Sequence, residues 1–305
     1  MLNNIRRIDD MFITICTPTY NRAHTLSRTY ESLLSQTNTN FEWIIIDDGS
    51  IDETKSLVEK WINENLIKID YYFQENQGKH IALNKGMEYA SGELFTCLDS
   101  DDWLYEDAIE FILNKWMTLK NNRNLAGIIT LDSFENNEIV GTKFPLHLSQ
   151  INWIDMVFKY RVKGDKAYYF RTDIIKNYPF PNYKNNKHMP PSYQYYQISK
   201  KYNFFIVNKP TKFVEYLEDG ISRNKYRKYV IAPDNFAFYR LTIMDLIPTF
   251  KRKVINAIHF NPSIYLGNLK FKPSSFKNSI YVFFTKPLGF LLSRFIKFKA
   301  KREIK

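Results

Sequence analysis

The chain predicts an α/β fold: a Rossmann-like, doubly wound and mostly parallel sheet with helices on both faces, plus a C-terminal helical basic appendage. Three observations predict it. Apolar runs of strand length alternate with helix-spaced apolar patterns over the first 132 residues, and runs apolar on both faces belong to parallel sheets covered on both sides. Polar and acidic residues gather where these runs end, which is where open α/β sheets hold ligands. Charge divides unevenly: residues 221–305 hold 18 Lys and Arg against three acids, a net +15, whereas the first 220 residues hold 25 against 29.

Phe12–Thr17 reads as the first strand, and Leu26, Tyr30, Leu33 and Leu34 mark the helix after it. Phe41–Ile46 is the second strand, ending in Asp47-Asp48-Gly49-Ser50; Ser50 and Glu53 form a capping-box pattern for a helix to about Asn63. Ile69–Phe73 is a third strand and His80–Ala90 a helix with Ile81, Leu83, Met87 and Ala90 as its apolar positions. Leu94–Leu98 is the fourth strand, Glu106–Leu119 a helix and Ala126–Leu131 a fifth strand. Residues 133–230 are less regular, with Pro179, Pro181, Pro190 and Pro191 breaking any long helix. Residues 235–265 read as one helical, apolar-rich region.

The 305 residues suit one large domain with an appendage. We divide them into a main domain over 1–230, with halves at about 10–132 and 133–230, and a basic C-terminal region over 231–305. The two cysteines, Cys16 and Cys97, fall in apolar strands and read as reduced core residues, with no zinc spacing, in a cytosolic setting. Arg6, Arg7, Asp9 and Asp10 precede the first apolar run, unlike a signal peptide. No run of 18 or more predominantly apolar residues predicts a spanning helix.

The chemistry concentrates at Leu98-Asp-Ser-Asp-Asp-Trp103. Asp99, Asp101 and Asp102 directly follow a buried strand, and like charges that close repel and resist burial. They need a cation, donors or open water. A divalent metal that also holds a diphosphate satisfies them; so does a solvated acidic turn ahead of the next helix. Asp48 reads equally as a turn former before Gly49, and Lys79 and Arg22 as solvated caps.

In order and spacing, Thr17–Arg22 (TPTYNR), Gln36, Phe41–Asp52 (FEWIIIDDGSID), Asn76–Gly86 (NQGKHIALNKG), Gly92–Trp103 (GELFTCLDSDDW), Gly164–Lys166 (GDK) and Glu215–Gly220 (EYLEDG) make the chain resemble family-two glycosyltransferases of the GT-A fold, of the bacterial polysaccharide type, over roughly residues 10–220. The resemblance implies a nucleotide-diphosphate sugar donor, expected to be a uridine diphosphate sugar, and a saccharide or lipid-linked acceptor. It implies base contacts at Thr17 and Asp48 and further donor contacts at Tyr20, Arg22, Lys79 and Asp99. Asp99 and Asp101 match the DXD motif and would share Mn²⁺ or Mg²⁺, with Asp101 and Asp102 in catalytic roles. Inverting transfer also needs a base for the acceptor hydroxyl. The position where relatives carry an acid is Pro191, and residues 174–214 contain no Asp or Glu. Either the base lies elsewhere, at Asp165, Glu215, Glu218, Asp219 or the imidazole of His188, or the chain is a weak or inactive sugar-nucleotide-binding subunit.

In Leu288–Lys305, Leu288, Leu291, Leu292, Phe295, Ile296 and Phe298 interleave with Arg294, Lys297, Lys299, Lys301, Arg302 and Lys305. This is the pattern of an interfacial helix on an anionic membrane, or of a terminal helix packing its apolar side inward. We expect residues 279–305 to meet an anionic membrane surface, which makes the protein cytoplasmic and peripheral on the inner face of the plasma membrane. Nucleic-acid binding fits the charge, but no motif supports it, and none is expected.

Overall fold

The structure, a computed structural model, describes residues 12–182, 187–216, 225–271, 273 and 275–302. The first elements are β1 (Ile13–Thr19), α1 (Ala23–Leu34), β2 (Phe41–Asp47), α2 (Thr54–Glu64), β3 (Ile69–Phe73), α3 (Lys79–Tyr89), β4 (Leu94–Cys97), β5 (Trp103–Leu104), α4 (Ala108–Leu119) and β6 (Leu125–Ser133). Then come β7 (Gln150–Ile151), α5 (Trp153–Phe158), β8 (Lys166–Arg171), α6 (Thr172–Ile175), α7 (Ser192–Ile198) and β9 (Asn203–Phe213). The remainder is helical: α8 (Lys225–Ile231), α9 (Pro233–Met244), α10 (Phe250–Gly267), α11 (Phe276–Phe284) and α12 (Lys286–Arg302). The chain divides into two compact units. One runs through Pro179 and takes in Gln197–Glu215; the other joins Phe180–Tyr196 to the chain from Tyr216 onward.

The first unit is built on a sheet ordered β3-β2-β1-β4-β8-β6-β9-β5, with β7 beside β9. β3, β2, β1 and β4 run parallel, as do β6 and β9. β8 lies antiparallel between β4 and β6, so it begins at the edge where those two end. The sequence pattern left β8 and β9 inside an irregular region. β8 is short, and β9 carries Pro210 where its register against β6 shifts, and a proline normally argues against a central strand.

Both faces of the sheet are covered. On one, Tyr30 of α1 and Trp61 of α2 stack with ring centroids 4.3 Å apart, and Trp61 lies 6.0 Å from Trp43 of β2. Ile109, Ile112 and Trp116 of α4 join this core. On the other, α3 lies against β1 and β2. Its Gly86 is a point of close approach, since a Cβ there would collide with the Cys16 sulfur.

In the second unit, Ala237, Met244, Ala257, Phe260 and Val282 form the core. The region over 235–265 is helical as expected, and it holds two helices. α9 ends at Met244 and α10 starts at Phe250, because Pro248 between them cannot continue a helix.

Alanine normally gains about 1 kcal/mol over glycine inside a helix. At Gly86 the collision with Cys16 reverses the sign, and Gly86→Ala is expected to lower stability by about 1–3 kcal/mol. Adding Cys16→Ala should recover part of that loss in urea denaturation; no recovery would place the strain elsewhere.

Candidate functional site

The loops that leave β1 and β2 are tied to each other. Asn21, with φ of 52°, donates its N–H to Ser50 Oγ, and its own Oδ1 accepts the Ile51 N–H. Asp52 accepts the Ala23 N–H with Oδ2, and the Thr54 N–H and hydroxyl with Oδ1. The expected capping box therefore does not form. Ser50 is engaged by Asn21, α2 starts at Thr54 behind Asp52, and that one carboxylate serves the first turns of both α1 and α2. Tyr20 stands exposed on this double loop, and Arg22 sits at the N-terminus of α1.

Asp48 is buried, and its carboxylate accepts the Gln74 side-chain amide (2.7 Å) and the Gln77 N–H (2.8 Å) on Oδ1 and the Gly78 N–H (2.7 Å) on Oδ2. A carboxylate offers about four acceptor positions, so one remains for a ligand. Gly78 takes φ of 94°, which lets its N–H reach Asp48 at the start of α3. Thr17 is fully buried, and its hydroxyl oxygen accepts the Trp43 indole N–H at 2.9 Å. That commits its side chain to the core. Two residues on, and so on the same face of the strand, Thr19 is also buried, and its hydroxyl has no partner. Its carbonyl accepts the Asp48 N–H.

The aspartate loop is held from α1. Arg28 donates to the Asp101 carbonyl (3.0 Å) and to Glu215 (2.5 Å), and its guanidinium lies 3.8 Å from the centre of the Trp103 ring. The Thr29 hydroxyl donates to the Asp102 carbonyl. Within the loop the three carboxylates differ. Asp99 is half-buried and pairs with Lys79 of α3 at 2.6 Å; burial opposes its charge, but Lys79 and Lys212 outweigh this and hold it below its ordinary value. Asp101 makes no ion pair among the described residues, and burial, then the Asp99 charge, raises it. Asp102 is buried and pairs with Lys212 of β9 at 3.0 Å.

Lys212 serves a second acid. In register opposite it stands Asp132 of β6, fully buried, with a carboxylate oxygen 3.7 Å from the ammonium and no hydrogen bond to either oxygen. One cation cannot neutralise two buried carboxylates. Burial, only partly offset by Lys212, pushes Asp102 up to about 7 and Asp132 up to about 6. The three groups titrate as a set that holds a proton near neutrality. Lys212 itself is held well above its ordinary value: burial opposes its charge, but Asp132, Asp102 and Asp99 outweigh it. Beside them, Lys166 at the start of β8 donates to the carbonyls of Val140, Lys163, Gly164 and Asp165, pinning the turn that presents the exposed Asp165.

Asp48, Lys79, Asp99, Asp101 and Asp102 thus come together at the carboxyl edge of the first unit's sheet. His188 and Pro191 belong to the second unit, where the His188 ring packs on Phe236 and its carbonyl accepts the Asn235 side-chain amide. Glu218 and Asp219 lie outside the described residues. Among the described residues no cluster of three or more His, Cys, Asp or Glu is arranged to hold a metal. The donor set instead fits a hard cation shared with phosphate oxygens: Asp101 without a cation of its own, and Asp99 once Lys79 leaves it. Arg28, Thr29, Asp132 and Lys212 escaped the sequence reading. Asp132 ends an apolar strand just as Asp47 does, and Lys212 is a lone cation near the end of another; both signals were readable.

Residues 14–172 match the family described as Glycosyl transferase family 2. A Rickettsia felis protein named an uncharacterized glycosyltransferase is 39% identical over 114 residues, covering 37% of this chain and 18% of its own length. The Escherichia coli UDP-Glc:alpha-D-GlcNAc-diphosphoundecaprenol beta-1,3-glucosyltransferase WfgD is 33% identical over 134 residues, 44% of this chain and 51% of that protein. The chain therefore spans at most about half the length of these curated relatives. Staphylococcus aureus TarS 1–349 in complex with UDP-GlcNAc superposes with a TM-score of 0.58 over 96% of this chain and 92% of TarS 1–349, at 15% identity. A Pyrobaculum calidifontis mannosyltransferase in complex with GDP-Man and Mn²⁺ gives 0.51 over 94% and 86%, at 17% identity. The last two show the same GT-A fold.

Lys212→Met would leave Asp102 and Asp132 buried without a cation and should cost about 3–5 kcal/mol of stability. The pH dependence has a definite sign. Asp132 titrates ordinarily at 3.8 and in the folded protein at about 6, so the native state binds more protons across that window. The contribution of this carboxylate pair to stability should fall as pH rises from about 4 to about 6, continuing towards 7 through Asp102, whereas buried His80 and His259, held down to about 4 by burial, contribute in the opposite sense. Asp132→Asn leaves Lys212 to Asp102 alone and should flatten this slope in urea titrations from pH 4 to 7.5; an unchanged slope would assign the protons to other groups.

Proposed function

The chain belongs to glycosyl transferase family 2, and we propose that this glycosyltransferase moves a sugar from a uridine diphosphate donor to a saccharide or lipid-linked acceptor, with inversion and with a divalent metal. The observation that carries this is the convergence of Asp99, Asp101, Asp102 and Lys79 at the carboxyl edge of the sheet, beside the interlocked loops that present Asp48 and Thr19. WfgD is named for a UDP-glucose donor and a diphosphoundecaprenol-linked acceptor, and TarS for UDP-GlcNAc; both support the donor class proposed for this chain.

Each residue has a part in this reading. Asp48 keeps one acceptor position for a base N–H, and Thr19, whose carbonyl accepts the Asp48 N–H, leads into the loop that carries Tyr20 and Arg22. Asp99 and Asp101 are the residues that would hold the metal, and Lys79, now paired with Asp99, would be the cation available to the diphosphate, since an ammonium follows the greater negative charge. Mn²⁺ or Mg²⁺, when bound, supplies Lewis-acid stabilisation of the departing diphosphate. Lys212 keeps the buried Asp102 in place behind that pair. For the acceptor proton, Asp165 is an exposed acid at this edge, electrostatically linked to Asp132, whereas Glu215 is occupied by Arg28. The basic C-terminal region would hold such an enzyme peripherally on the cytoplasmic face of the plasma membrane rather than on nucleic acid.

A second reading, a sugar-nucleotide-binding subunit without turnover, rests on Pro191 in place of an acid. Uridine diphosphate binding in calorimetry with no product from any acceptor mixture would favour it.

Asp101→Ala should reduce metal-dependent hydrolysis of UDP-sugars, read as released UDP, by about 100-fold or more; undiminished hydrolysis would remove the proposed metal pair. Asp165→Asn should lower kcat for transfer by about 100-fold with little change in donor KM. An unchanged kcat would move the base to another residue.

A further inference from the structure

The second unit ends in a helix that is packed inside out. In α12 the buried positions are Gly289, Ser293, Ile296 and Ala300, spaced as one face of a helix. Three of these four are small or polar. A Cβ at Gly289 would collide with the side chain of Asn261 in α10, and Asn261 in turn donates to the Val282 carbonyl and the Thr285 hydroxyl. The inward seam is therefore close packing of small residues, not burial of large ones. On the opposite face Leu288, Leu291, Phe295 and Phe298 are exposed, at 54%, 64%, 44% and 52%, and Phe283 and Phe284 at the end of α11 are exposed at 62% and 75%. An ordinary terminal helix would turn these residues inward. This one gives its inner face to glycine, serine and alanine with a single Ile296, and leaves Leu288, Leu291, Phe295 and Phe298 outside.

Cations frame the apolar face. Arg294, Lys297 and Lys301 are exposed on its flank. Arg302 lies 4.3 Å from the centre of the Phe298 ring, Lys286 5.3 Å from that of Phe283 and Lys299 5.7 Å from that of Phe295. No acid occurs between Asp245 and Glu303, a stretch that holds 12 Lys and Arg. A protein partner with an ordinary mixed surface would leave much of this charge unmatched, whereas a sheet of anionic headgroups over acyl chains matches both the cations and the rings between them. Among the described residues no single helix is long and apolar enough to cross a membrane; α11 and α12 together have the length and composition of a broken span, but they meet at a 60° bend.

We propose that the outward face of α11 and α12 is a lipid-binding surface that seats the protein on an anionic bilayer, its leucines and phenylalanines entering the headgroup–acyl boundary and its lysines and arginines pairing with lipid phosphates. This deepens the peripheral placement given above and is independent of the sugar chemistry.

The test is co-sedimentation of the full chain with vesicles of phosphatidylcholine alone and of phosphatidylcholine with phosphatidylglycerol. Wild type should pellet with the anionic vesicles and be released by high salt. A variant carrying Phe283→Ser, Phe284→Ser, Leu288→Ser and Leu291→Ser should lose about tenfold or more in partitioning without a fall in Tm, since these side chains are exposed. Arg294→Gln, Lys297→Gln and Lys301→Gln together should lose as much on anionic vesicles only. Anionic-vesicle binding by both variants equal to wild type would overturn this surface while leaving membrane placement standing. No binding by wild type would overturn both, with donor affinity, read by calorimetry, unaffected. Binding indifferent to salt and lipid charge would overturn the surface mode in favour of insertion. Self-association abolished by the serine variant, with no vesicle binding, would assign the face to a second copy.

Discussion

A single ammonium set between two buried carboxylates governs the acidic edge of this sheet. The parallel register of β6 and β9 brings Asp132 opposite Lys212, and the turn after β4 delivers Asp102 to the same cation. Buried carboxylates so close together would ordinarily repel or take up protons. Lys212 offsets enough of that repulsion to keep the loop folded against the sheet, yet leaves a surplus of negative potential in front of it. The surplus falls on Asp99 and Asp101, the two acids nearer solvent. Asp99 meets it with a second cation, Lys79, and Asp101 has no such partner among the described residues. The edge is thus graded from a neutralised interior to an under-neutralised rim, the side that would meet a cation or a diphosphate in the proposed reading.

Much of this was legible in the sequence because local pattern and tertiary role agree there. The runs Phe41–Ile46 and Ile69–Phe73 fall on β2 and β3, and the rule that polar residues collect where parallel strands end located Asp48 and Asp99–Asp102. The same rule applied to Asp132 and was passed over, because the strand it ends was read only as far as Leu131. Lys212 lies in the stretch over 133–230 that has no regular pattern, and Pro210 interrupts the strand that carries it where the register against β6 shifts. Ser50 and Glu53 showed a capping box that the fold overrides, since a tertiary partner, Asn21, takes the serine hydroxyl. Thr17 was read from its place in a motif; its hydroxyl is turned to Trp43 by the alternation of the strand, which a motif does not encode. Pairing between residues far apart in sequence is what the one-dimensional pattern lacked.

The C-terminal helices show a related limit. Helical spacing in Leu288–Lys305 reveals two faces but not which of them the protein keeps. Hydrophobicity alone says that the leucines and phenylalanines go inside. The close approach of α10 at Asn261 decides otherwise, because only a residue without a side chain fits at Gly289 and the small residues in line with it follow.

If these loops hold the nucleotide as proposed, the knot between the segments that leave β1 and β2 has a consequence for how nucleotide preference would change. Asn21, Ser50 and Asp52 make the two segments one body, so Tyr20, Arg22 and Asp48 keep fixed relative positions whatever binds between them. Altering one segment alone breaks bonds in the other. A swap of specificity therefore requires exchanging both segments as a cassette, and a single substitution at the base-facing end loosens the grip before it redirects it.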